Sequence, residues 1–165
     1  MTEKRLIQRA DKVAFAKIAD TYYRMEGFTS LATNKNPKEY TRQYVDQIFE
    51  TTDVVGISAS MDFGFDQYTG DPVHDYIVDI IDNEKIGTDA GIEIMAVDFS
   101  KPGENEGEFH AKKREYSIIP NTEGGSMDAY TYEGTFKVKA APEDVIVTSS
   151  DEWKTATIKT DPQTP

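Results

Sequence analysis

The chain has 165 residues, 38% of them hydrophobic, 11% aromatic and 29% charged, which is enough apolar material for one domain with a core and too much for a disordered chain. Its 30 acidic against 18 basic residues give a formal charge of −12, which opposes tight binding to nucleic-acid phosphates yet permits a surface past which a polyanion slides. With no cysteine, disulfides, thiolate metal sites and Cys nucleophiles are excluded; the charged residues 1–11 do not read as a signal peptide, and no apolar run nears the ~20 residues of a membrane helix.

Val13, Phe15 and Ile18 fit helix and strand templates equally, but Thr21, Tyr22 and Tyr23 favour a strand, so a hairpin turning near Ala19 and Asp20 is expected. Residues 1–23 would then be an N-terminal arm or hairpin. Residues 31–39 hold Asn34, Asn36 and Pro37, which signal turns and remove backbone donors, and predict a loop. It continues as an excursion through Tyr40, Tyr44, Val45, Ile48 and Phe49, which keep neither a two-residue nor a helical period. A long, aromatic-dotted loop in a small domain is usually functional.

Residues 54–66 predict one long strand, with Ile57, Ala59, Met61, Phe63 and Phe65 on its core face and Ser58, Ser60, Asp62, Gly64 and Asp66 on its wet face. Asp71 then suits an N-cap and Pro72 the first helical position; Val73, Ile77, Ile80 and Ile81 form an apolar stripe, and Gly87 a stop. The expected helix spans 71–85, with Asp71, Asp75, Asp79 and Asp82 on its solvated side. Ile92, Ile94 and Ala96 alternate with Met95, Val97 and Phe99, so both faces of that segment are apolar and a strand that is central or covered on both sides is expected. Strands are expected at 108–119, at 130–139 with Tyr130, Tyr132, Phe136 and Val138 on one face, and at 145–147 and 153–158, followed by a flexible tail over 160–165. The fold class is α+β, mostly antiparallel, with packed sheets in a sandwich or barrel flanked by one helix; residues 1–159 form a single domain.

Little here suggests catalysis, and no cofactor or metal is implied. His74 lacks a serine-nucleophile motif and reads as a surface helix residue, and His110, beside Lys112, Lys113 and Arg114, as a solvated strand residue. The helix acids and the Glu104, Glu106 and Glu108 cluster lack the spacing and central Gly of a calcium loop, so they read as solvated, or as contacts for a neighbouring subunit's cations. Gly124 and Gly125 lack the spacing of a phosphate loop. Lys35, Lys38 and Arg42 with Tyr40 and Tyr44 could suit single strands, but the net charge favours a protein contact, where Tyr and Arg are common anchors.

Thr29-Ser30-Leu31 through Asn36-Pro37-Lys38-Glu39-Tyr40, with Arg42, Tyr44-Val45-Asp46 and Thr51-Thr52-Asp53-Val54-Val55-Gly56, precede Phe65-Asp66-Gln67-Tyr68-Thr69-Gly70-Asp71-Pro72-Val73-His74 and Gly87-Thr88-Asp89-Ala90. In this order the segments resemble a major tail tube protein of long-tailed phages or prophages of Gram-positive bacteria, over most of the chain; residues 1–23 match no motif, and no added immunoglobulin-like domain is seen. The resemblance implies a virion tail protein assembled in the host cytoplasm, with hexameric rings stacking into a tube that carries DNA. It also implies a continuous intersubunit barrel lining the lumen and a loop between early strands that helps stack the rings. The corresponding loop is 31–53, with Asn34, Lys35, Asn36, Lys38, Tyr40, Arg42 and Tyr44 as stacking residues; Asp62 and Asp66 would be lumen-facing acids. The implied partners are other copies, a tape measure protein, distal tail and tail terminator proteins, and passing DNA, with no membrane. Two other readings are a carbohydrate- or ligand-binding β-domain, with exposed Tyr and Trp153 as its platform, and the inner tube of a contractile particle.

Overall fold

A computed structural model of the protein describes residues 3–125 and 127–159, so the tail expected over 160–165 lies outside the described residues. Strands β1 (Lys12–Ile18) and β2 (Thr21–Arg24) form the N-terminal hairpin, turned by Ala19 and Asp20 at φ 49° and 69°. Positive φ at both central residues gives a turn whose twist matches the flanking strands.

The next segment differs from the sequence expectation in two linked ways. Residues 31–39 are not a loop: they contribute to β3 (Phe28–Asn34) and β4 (Pro37–Arg42). The expected strand 54–66 is divided into β5 (Thr51–Ile57) and β6 (Ser60–Asp66). Because β3 pairs with β6 and β4 with β5, the four strands are one long hairpin, offset at residues 35–36 and 58–59. Pro37 is tolerated because it is the first residue of an edge strand, where no ladder donor is needed. Asn36, at φ 45°, makes the offset, and its amide bonds the Ser58 carbonyl at 3.1 Å and Ser60 Oγ at 3.0 Å. Below the offset Ala59, Met61, Phe63 and Phe65 are buried as expected, but so are Ser60 and Gly64 of the expected wet face, which leaves Asp62 as the exposed residue between them; above it Ile57 is exposed.

Helix α1 (Pro72–Asp82) begins as expected, with Asp71 Oδ1 accepting from the Val73 and His74 amides at 2.9 and 3.2 Å. It ends earlier than 85, without Gly87. The Lys85 amide bonds the Ile80 carbonyl and the Glu84 amide the Ile81 carbonyl, with Glu84 at φ 49°. This paired closure normally has glycine at the left-handed position.

Five strands complete the fold: β7 (Gly91–Pro102), β8 (Phe109–Glu123), β9 (Thr131–Val138), β10 (Glu143–Thr148) and β11 (Thr155–Ile158). All pairings are antiparallel, in a nine-stranded sheet of order β10-β11-β2-β1-β7-β8-β9-β6-β3; β4 and β5 form a separate ribbon. Strand β10 also pairs with β8, closing six strands into a small barrel and leaving β3 as the outer edge of the sheet.

Two cores result, and β7 serves both. Its Ile92 and Ile94 join Phe63, Phe65, Phe136 and the α1 stripe in the larger core, while Met95 and Val97 point into the barrel with Phe15, Tyr22 and Val147. This is why both faces of β7 are apolar. Among the described residues α1 is the single α-helix, and the class is α+β as the sequence indicates.

Candidate assembly interface

The ribbon is the part of the molecule least supported by its own chain. Strands β4 and β5 contact each other and no other element comparably. At about 3.3 Å per residue the six residues of β4 carry the ribbon about 20 Å from its offset. The register puts Lys38, Tyr40 and Arg42 on one face with Asp53, and Glu39 and Thr41 on the other with Val54 and Thr52. Arg42 pairs with Asp53 at 2.6 Å, donates to Tyr44 Oη at 2.8 Å and lies 5.0 Å from the Tyr40 ring centroid. Hydrogen bonds to Asp53 and Tyr44 hold the guanidinium pKa above its ordinary value. Beyond them, residues 43–50 form the tip, where the Gln43 amide bonds the Gln47 and Ile48 carbonyls at 3.0 and 3.1 Å.

Of the stacking residues named from sequence, Lys38, Tyr40, Arg42 and Tyr44 thus converge, Tyr44 reaching the face from the tip. Asn34 and Asn36 sit at the ribbon's root, Asn34 bonding Asp62, and Lys35 is exposed in the offset between them. The sequence reading missed the apolar contribution: Val45, Ile48, Phe49, Val54, Val55 and Ile57 are all exposed. A cluster of this kind on a domain with satisfied cores is a mark of an interaction surface. Its only signal in the sequence is apolar residues that follow neither period.

Asp62 and Asp66 lie on the outer face of the sheet. Register lines up Asn34, Ser60, Lys137 and Ser117 in one row and Ala32, Asp62, Thr135 and Ile119 in the next, then Ser30, Gly64, Glu133 and Thr122, with Asp66 beside Thr131. Asp62 accepts hydrogen bonds from Asn34 and Thr135, both at 3.1 Å. The face is therefore mostly polar and mixed in charge, with Ile119 exposed in it and Asp62 bonded to its neighbours on both sides. At its margin β3 leaves an unpaired strand edge.

The remaining candidates are structural. His74 is not a surface residue: its side chain is fully buried, Nδ1 accepts from the Tyr68 amide at 3.1 Å, and Nε2 donates to the Glu26 carbonyl at 2.6 Å. Its ring stacks on Phe65 with centroids 4.5 Å apart. His110 is exposed, as expected. Of the three glutamates read as solvated, Glu108 is buried, held by Lys159 at 2.8 Å and Asn105 at 3.2 Å; these partners pull its pKa below the ordinary value. Among the helix acids Asp79 bonds Lys85 at 2.6 Å and Asp82 accepts from Tyr132 at 3.1 Å. Among the described residues no three His, Asp or Glu side chains group as a metal would require, and no helix is long and apolar enough to cross a membrane. Trp153, the platform of the alternative glycan-binding reading, is half-buried with its ring edge-on to Phe99 and Phe109 at 5.1 and 5.6 Å.

No family model and no curated protein matches the chain. Among solved structures the chain is similar to the tube-terminating cap of the anti-feeding prophage, determined by cryo-EM, with a TM-score of 0.52 and 12% identity over 90% of this chain and 95% of that one. At this identity the likeness is one of fold.

Proposed function

We propose that the protein is a structural component of a phage or phage-like tail, forming hexameric rings that stack into a tube through which DNA passes. The observation that carries this reading is the ribbon, which holds a row of exposed apolar side chains away from a body whose own cores are filled. Three further features support it. Among the described residues the β3 edge has no second strand partner, only Arg9 donating to its Leu31 carbonyl at 3.4 Å, the mostly polar outer face around Asp62 and Asp66 suits a wall that does not hold DNA, and the fold is similar to that of a prophage tube's terminating cap. The order of sequence segments favours a major tail tube protein of the long-tailed, Gram-positive-infecting type.

In this reading the protein is not an enzyme and takes no cofactor. It works in the virion tail, in contact with further copies, a tape measure protein, and distal tail and tail terminator proteins, after assembly in the host cytoplasm. A second reading has one observation in its favour: the solved structure with the similar fold is a cap, which would make this chain one that ends a tube rather than builds it.

Electron microscopy of the purified protein at rising concentration separates the two. Tubes of stacked rings support the tube protein. Single rings that bind the end of a tube without stacking support the cap. Monomers that persist at high concentration with tail-initiation partners present sink both.

A further inference from the structure

On the outside of the barrel, where β7 and β8 run past β1 and β10, lies a cleft of about 810 Å³. It is lined by the apolar Ala96 and Pro102 and by Lys12, Lys101, His110 and Lys112. Asp98 and Asp144 partly offset this charge: Lys12 is 4.0 Å from Asp98 and Lys112 is 2.8 Å from Asp144. The side chains of Lys101 and His110 make no hydrogen bond among the described residues; the Asp144 pKa is held below its ordinary value chiefly by the Lys112 hydrogen bond, with smaller contributions from the nearby His110 and Lys101. Three lysines against two aspartates leave the cleft positive on a chain whose net charge is −12.

The ribbon tip has the opposite composition. Residues 43–50 contain Asp46 and Glu50 and no basic residue, and expose Val45, Ile48 and Phe49. Neither acid forms an ion pair among the described residues, and the one basic neighbour, Arg42, is already paired with Asp53. An apolar and acidic tip thus matches a cleft lined by apolar groups and an excess of lysines.

We infer that the ribbon tip of one copy seats in the β7–β8 cleft of the next, with Phe49 and Ile48 against Ala96 and Asp46 and Glu50 facing Lys101 and Lys112. The inference rests on the reading of the chain as self-assembling and names the receptor for its ribbon. Tip and cleft are different surfaces, so the contact is head-to-tail, and a contact of this kind propagates through successive copies instead of closing a two-fold dimer. Steering by opposite charges also sets its orientation.

Because the chain has no cysteine, introduced thiols report the contact alone. Phe49→Cys protein is mixed with Ala96→Cys protein and treated with a short bis-maleimide, with Lys112→Cys as a second receptor position and Lys137→Cys, on the polar sheet face, as the control. Holding the two thiols together raises their effective concentration, so the expected cross-link yield is about tenfold above the control. Adding Asp46→Lys and Glu50→Lys to the tip protein returns the yield to the control level, and Lys101→Glu with Lys112→Glu in the Ala96→Cys partner restores it. Equal yield at Lys137→Cys, cross-linking of the tip to itself or to Leu6→Cys instead, or indifference to charge reversal would each overturn the inference. Tubes that form without the tip-to-cleft cross-link also overturn it and leave the proposed function standing; cross-linked copies that never form rings or tubes do the reverse.

Discussion

Phe136 and Phe49 are the same side chain in opposite surroundings. The first, in β9, has no exposed surface and stacks on Phe63 with centroids 4.2 Å apart; the second, at the ribbon tip, is 82% exposed and touches no core. The body and the ribbon divide two tasks: apolar burial in the body holds the monomer together, while apolar exposure in the ribbon contributes only if another surface covers it. Stability and assembly should therefore respond to different residues.

The largest effect on stability is expected in the body. Phe136→Ala removes a fully buried ring and leaves a cavity, at a cost of about 3–5 kcal/mol, measurable as a shift in the denaturant midpoint. A loss under about 1 kcal/mol would mean the larger core is not what holds the fold. His74→Leu comes next: it leaves the Tyr68 amide and the Glu26 carbonyl without partners, at about 1–3 kcal/mol for each group left unsatisfied.

A smaller effect with a pH signature comes from the turn before β11. Thr155, through its hydroxyl and amide, and Ser149 hold the Asp151 carboxyl at about 2, against an ordinary value of 3.8. A depressed carboxylate pKa contributes stability that is full above the ordinary value and is lost as pH falls toward the folded-state value. Asp151→Asn should therefore lower the melting temperature at pH 7 and flatten its decline between about pH 4 and pH 2; an unchanged decline would assign the acid sensitivity to other carboxylates. Glu84→Gly acts in the opposite direction. It relieves the left-handed position after α1 and should stabilise by about 0.5–1 kcal/mol, and a loss would show that the φ of 49° carries little strain.

The smallest change in stability belongs to the ribbon, where it tests the division most directly. Replacing Val45, Ile48 and Phe49 together with Ser should move the unfolding free energy by about 0.5 kcal/mol or less and abolish assembly seen by electron microscopy. Tyr40→Ala with Tyr44→Ala should likewise impair stacking more than folding. Normal tubes from either variant would remove the ribbon from the interface.

Where one face of an element meets one core, the sequence reading and the structure agree. Asp71-Pro72 starts α1, the stripe Val73, Ile77, Ile80 and Ile81 is buried, and Met61, Phe63 and Phe65 face inward. The disagreements fall where a contact distant in sequence decides. Residues 31–39 look like a loop because Asn and Pro are read locally, but β3 is a strand because β6 offers it a ladder. Residues 54–66 look like one strand because alternation cannot register an offset in which the strand leaves one sheet for another. His74 looks exposed beside Asp71 and Asp75, yet Phe65, Tyr68 and Glu26 surround it from elements far along the chain.

The sequence by itself determined the class of this protein: antiparallel strands, a single capped helix, a net acidic charge, and a segment between early strands whose apolar residues follow neither period. Those properties follow from periodicity, capping and charge, which act over a few residues. Only the tertiary structure decided that this segment is a hairpin standing off the body, that six strands close into a barrel, and that the apolar residues of the tip stay exposed. Pairing and burial depend on which strands meet, and residues far apart in the chain supply the ladders and cover that local preference cannot specify.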